Sequence, residues 1–196
     1  MSILALTSDT LIGTAAAGNI EYNGQFFGTD SNASRAQLQR ITSGTAVAST
    51  SGTSVEFTNF PAWCKRITVM FSGVSTNSTN LYQVQIGSGS YTISGYTGGY
   101  ATAGGTAGAM STGFVIVNNV LAANLHYGAI LLTNITGNTW SEFGNIANSA
   151  GSNVLTTSAG SIALGGTLDR LRIIASSTGN PADTFDAGSI NILYEG

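Results

Sequence analysis

Charge is what this chain has least of. Only 8% of its 196 residues are charged, six Lys and Arg against nine Asp and Glu, for a formal net charge of −3; about 25% is ordinary. The deficit argues against a nucleic-acid binder, because neutralising phosphates takes a dense basic footprint. A single Cys, Cys64, excludes an internal disulfide framework and a Cys-rich zinc site. A single His, His126, excludes the common multi-His metal sites. No run approaches the roughly 18 apolar residues a membrane-spanning helix needs. Met1 to Asp9 lack the basic and apolar regions of a secretory signal. The expectations are therefore synthesis in a cytoplasm, no membrane insertion, no metal and no cofactor.

What is present is apolar and small. Hydrophobic residues make up 42% of the chain and glycines number 26. That apolar content speaks against disorder and supports one domain, or one domain plus an arm. Residues 1–44 hold short apolar pieces broken by Gly, Asn and Ser. Among them, Asn23-Gly24 marks a tight turn between two short extended runs. Residues 45–54, within the small polar stretch TSGTAVASTSGTS, read as a linker. From 55 to 196 the pattern becomes repeated short runs with period-two alternation. Ile67, Val69 and Phe71 share one face of Arg66–Ser72. Val84 and Ile86 alternate with Gln83 and Gln85, which the pattern places on the wet side. Phe114–Val117 and Ala129–Leu132 are continuous apolar runs, expected to be covered on both faces. Runs at 161–164, 170–174 and 189–194, with a weaker one at 142–146, complete about eight strands and no helix. The predicted fold is all-β: an antiparallel β-sandwich, jelly-roll-like, behind an extended N-terminal arm.

The candidate sites are few. Residues 87–113 form a long Gly-rich connection carrying Tyr91, Tyr96 and Tyr100. Tyr among Gly and Ser is typical of adaptable contact loops, and a tyrosine face can stack on a sugar ring. These three are the candidates for contact with a receptor, with a neutral glycan as ligand class. The competing reading packs them against neighbouring subunits. His126 has no nucleophile-elbow partner and reads as structural. Cys64 reads as a core thiol, and Trp63 beside it as a core or subunit-interface anchor. Asp183 and Asp186 share a loop before the last strand; they could offer calcium two ligands, but turn chemistry accounts for them equally well. Gly104–Gly108 has neither the Lys nor the strand–helix context of a phosphate loop. Nothing forms a catalytic set, and a glycosidase would need two facing carboxylates. In the arm, Ile20, Tyr22, Phe26 and Phe27 cannot bury themselves within 44 residues, so they are candidates for assembly between copies.

The stretch Val55-Glu56-Phe57-Thr58-Asn59-Phe60-Pro61-Ala62-Trp63-Cys64-Lys65-Arg66-Ile67-Thr68-Val69-Met70-Phe71-Ser72-Gly73-Val74-Ser75 resembles the opening of a module of tailed-bacteriophage tail fibres and related virion proteins. Leu168–Ile173 and Asp183–Glu195 resemble its closing strands, and Ala17–Phe27 resembles the run that often precedes it. The resemblance implies a non-enzymatic virion protein, a homotrimer bound to other tail or capsid proteins through its arm. Because the Gly-x-Ile-Glu-Tyr run begins near residue 18 with no shaft before it, the expectation is a short fibre, a knob or appendage. The alternatives are a carbohydrate-binding tip for host attachment and a capsid decoration protein. The family carries no invariant catalytic set, so no functional residue transfers.

Overall fold

A computed structural model describes residues 16–23, 25–105, 107–118, 121, 122, 124–149 and 154–196. The chain divides after Arg40 into two compact units. Among the described residues there is no helix, and every paired strand is antiparallel.

The first unit is a three-stranded sheet of β1 (Ile20–Tyr22), β2 (Phe26–Thr29) and β3 (Arg35–Gln37), in that order. Tyr22 pairs with Phe26 across the expected turn, whose Gly24 lies outside the described residues. The second turn closes on Asp30, whose Oδ1 accepts from the Asn32 and Ser34 amides, both at 2.9 Å. This is the local bonding for which turns favour Asp. Glu21 pairs with Arg35 at 3.1 Å across the sheet. No apolar side chain described in this unit is buried, and Ile20 is 72% exposed.

The second unit contains two sheets. Its elements are β4 (Ile41–Ser43), β5 (Val47–Ala48), β6 (Ser54–Thr58), β7 (Arg66–Thr76), β8 (Tyr82–Ser88), β9 (Ser90–Tyr91), β10 (Thr97–Thr102), β11 (Ala107–Ala109), β12 (Phe114–Val117), β13 (His126–Thr136), β14 (Thr139–Asn148), β15 (Leu155–Ala163), β16 (Arg170–Ala175) and β17 (Phe185–Glu195). The large sheet runs β11-β10-β15-β14-β13-β7-β17-β4, with β5 also on β17; the small one runs β12-β8-β16-β6, with β9 on β8. From β6 to β17 the chain passes repeatedly between the two sheets, and only β13–β14–β15 form a run of consecutive hairpins in one of them. Buried side chains of both sheets make one core, including Ile67, Val69, Ile86, Phe114, Leu132, Ile173 and Phe185.

The alternation expected of β7 is present: Ile67, Val69 and Phe71 face the core. Three expectations need correction. Gln83 and Gln85 are not wet. Residues near 112 and 176–179 cover that face, and the Gln85 Nε2 donates to the carbonyls of Thr112 and Gly179, both at 2.7 Å. Burial is tolerated because the amides are satisfied. Conversely, Ala129–Leu132 is not covered on both faces, since Ile130 and Leu132 are buried while Ala129 is exposed. Finally, the stretch read as a linker (residues 45–54) is partly paired. β4 and β5 lie along β17, the Ser49 amide donates to the Gly188 carbonyl at 2.9 Å, and the Phe185 amide donates to that of Gly52 at 2.8 Å. Small polar residues offer their backbone to a strand edge that would otherwise stay unpaired. At Gly188, φ is +88° and a Cβ would lie 2.3 Å from the Gly73 carbonyl oxygen, so a side chain there is excluded where β17 shifts register against β7.

Candidate functional site

The Tyr-rich connection is largely folded. It contains β9, β10 and β11, and its three tyrosines occupy three different surroundings. Tyr96 is 3% exposed. Its hydroxyl accepts from the Ile86 amide at 2.9 Å and lies 3.1 Å from the Thr92 carbonyl, to which it can donate. Its ring meets Phe114 edge-on at 4.9 Å, and burial pushes its hydroxyl pKa up. The geometry removes Tyr96 from the receptor-contact set: it ties the start of β10 to β8. Tyr100 faces inward opposite Ser158 and is half-buried. Its ring occupies the space that a side chain on Gly108 would need. Beside it is a shallow depression of about 270 Å³ between β11, β10 and β15.

Tyr91 is the tyrosine that sits on a polar surface cluster. The β8–β9 hairpin sets its ring over the guanidinium of Arg172 at 4.4 Å and near that of Arg170 at 5.8 Å. Its hydroxyl donates to the Glu56 Oε2 at 3.0 Å. Burial, then Glu56, pushes the Tyr91 pKa up to about 12. Glu56 and Arg172 face each other across β6 and β16, while the Arg172 Nε donates to the Gln85 Oε1 at 2.8 Å. Next to them Arg170 holds Asp169 through two bonds of 2.7 and 3.2 Å, and the Gly89 amide also donates to that carboxylate. The hydrogen bond from Arg170 holds the Asp169 carboxyl below its ordinary range. Four of the chain's fifteen formal charges, summing to zero, form one linked cluster around Tyr91, with Arg172 and Arg170 against its ring. Such a surface can stack on a neutral ring while guanidinium and carboxylate bond its edges.

The arm candidates all lie in the first unit. Tyr22 and Phe26 stack at 5.0 Å, and Phe27 and Gln37 are paired across β2 and β3. Phe26 and Ile20 are exposed, and Phe26 borders a recess of about 210 Å³ with Leu38 and Arg40.

The titratable interior contains one residue that sequence reasoning missed. Glu142 is buried on β14, accepts from the Ser158 hydroxyl at 2.7 Å, and has no hydrogen-bond partner for Oε2. Burial pushes its pKa up to about 7. The signal was present: Trp140, Glu142, Gly144 and Ile146 fall on one face by period two. His126 is buried with its Nδ1 3.0 Å from the Val74 carbonyl, to which it donates, and its ring lies 4.8 Å from Tyr82. Burial lowers its pKa, so the imidazole is neutral. Cys64 is buried, and burial pushes its thiol up to about 11, which suits the core thiol expected.

Asp186 accepts from the Ser75 hydroxyl, and the Thr184 amide donates to the Asn77 Oδ1 at 3.1 Å. These bonds tie the loop to the end of β7 and the residues after it, while the buried Oδ2 of Asp183 has no hydrogen-bond partner. No group of three or more His, Cys, Asp and Glu side chains among the described residues could hold a metal. Trp63 is only half-buried, 5.7 Å from Tyr194, which corrects the expectation of a core anchor. It caps the paired ends of β7 and β17, and Phe60 meets Tyr194 at 5.6 Å. The chain matches no protein-family model, no curated protein and no solved structure.

Proposed function

We propose that this chain is a non-enzymatic structural protein of a tailed-phage particle: a short fibre, appendage or knob, homotrimeric, and attached to other virion proteins through its N-terminal unit. One observation carries the reading. The first unit is a three-stranded sheet in which no described apolar side chain is buried. Sheets this small are marginal alone and need a second hydrophobic surface. Sister copies around a threefold axis would supply one. The larger β unit that follows in sequence is read as a jelly-roll-like sandwich because its strands pass back and forth between two sheets. The resemblance of 55–75 and 168–195 to tail-fibre modules supplies the particle.

A second reading, a tip that binds host-surface glycans, is favoured by the Tyr91–Arg172 cluster. Gold-labelled antibody against residues 55–196, applied to purified particles, tests the first. Label at the tail supports an appendage and label over the capsid supports decoration; particles without label contradict both. A glycan array with wild-type protein and Tyr91→Ala tests the second.

A further inference from the structure

Within the second unit, no described residues cover the outer face of the large sheet as residues near 112 and 176–179 cover the small one. On the small sheet the chain folds its own residues over Gln83 and Gln85 and buries them. On the large sheet a row of paired residues crosses five strands: Leu193, Thr68, Leu131, Phe143 and Ala159. Their inward neighbours are buried, so these side chains point away from the core. Phe143, in the middle, is 57% exposed, and Leu155 on β15 is 43% exposed. Met70 and Ala129 pair in the adjacent row, and Tyr127 is exposed beyond them.

The face is also free of charge. Between the Arg66–Glu195 pair at one end and Asp186 at the other, no outward side chain of β17, β7, β13, β14, β15 or β10 is ionisable apart from the phenol of Tyr127. Glu142 and His126, on the same strands, both point inward. Six strands at about 4.8 Å spacing, with outward residues about 6.8 Å apart along each, give a footprint on the order of 700 Å². The face is uncharged rather than wholly apolar: Thr68, Ser72, Thr133, Ser141, Asn145, Thr157 and Asn191 flank the stripe of Leu193, Leu131 and Phe143. The footprint approaches the roughly 800 Å² that each partner of a stable protein–protein interface buries.

We infer that this sheet face is a contact between copies of this chain, the face of one head packing on a neighbouring copy. A second copy fits for a chemical reason. An uncharged face meets the surface of a second copy without charge repulsion, whether the contact is isologous or heterologous. The inference rests on the particle reading only for the number of copies; the contact itself is argued from the face.

The full-length chain with Phe143→Arg tests it, beside Phe26→Arg in the first unit and Ala159→Cys as a reporter. Sedimentation velocity should show wild type assembled and Phe143→Arg at least tenfold weaker in association. The melting temperature of that variant should match wild type measured at dilutions where both are monomeric. Maleimide labelling of Ala159→Cys should slow at least tenfold on assembly, against a silent background because Cys64 is buried. A Phe143→Arg chain that assembles like wild type, unprotected Ala159→Cys, or a wild type monomeric at every concentration overturns the inference. Loss of assembly in Phe26→Arg alone places the contact in the first unit, which overturns this inference and leaves the particle reading standing. Unlabelled particles with a dissociating Phe143→Arg have the opposite meaning.

Discussion

Glu142 is the residue with the most to lose by ionising. Its folded pKa is raised from 4.5 to about 7, so the folded state holds its proton more tightly than the unfolded chain does. Its contribution is therefore fully present below pH 4.5 and is lost as pH rises toward 7, a change on the order of 3 kcal/mol. His126 acts in the opposite sense: its lowered pKa makes folding less favourable as pH falls below 6.5. Comparing wild type with Glu142→Gln separates the two. The stability of the Gln variant relative to wild type should rise between pH 4.5 and pH 7.5, measured by urea unfolding at each pH. A flat difference would place Glu142 in contact with water. Tyr96→Phe probes the neighbouring interior. It deletes the acceptor of the Ile86 amide and should cost about 1–3 kcal/mol, because a buried donor is left unpaired. A change under about 0.5 kcal/mol would mean that the hydroxyl is not needed there. Trp63→Ala, half-buried against Tyr194, should cost less than the roughly 3–5 kcal/mol of a fully buried aromatic.

At the scale of elements, the strap formed by β4 and β5 decides where the second unit begins. A chain starting at Ile41 should melt cooperatively, as a self-contained β unit does. One starting at Ser54 leaves the β17 edge bare and should melt lower or aggregate. Equal melting temperatures would show that the strap is passive. Much of the sheet was legible beforehand where β-branched and aromatic residues alternate, as in β7, β16 and β17. Three features escaped. β10 and β11 are built from Thr, Gly, Ala and Tyr, which carry little apolar alternation; β10 exists because its backbone pairs with β15, over 50 residues away. β8 alternates like a half-wet strand but is covered on both faces by residues distant in sequence. Tyr96 looked like a loop residue because nothing local shows that its hydroxyl bonds the backbone of β8.

For the whole molecule, the scarcity of charge acquires a physical meaning. Of the few ionisable groups, four cluster at Tyr91 and others form the Glu21–Arg35 and Arg66–Glu195 pairs. Their placement leaves one sheet face without charge, and both that face and the N-terminal sheet expose apolar side chains. Under the proposed reading, both surfaces pack against like copies. The candidate contact residues were legible only in part: Tyr91 is at the surface, whereas Phe143 and Leu131 gain their significance from neighbours on three other strands. Sedimentation equilibrium of the full-length chain at micromolar concentration tests the central claim most directly. The account predicts one species of three times the 19.9 kDa chain mass. A single species of one chain mass, unchanged up to the highest soluble concentration, would contradict it.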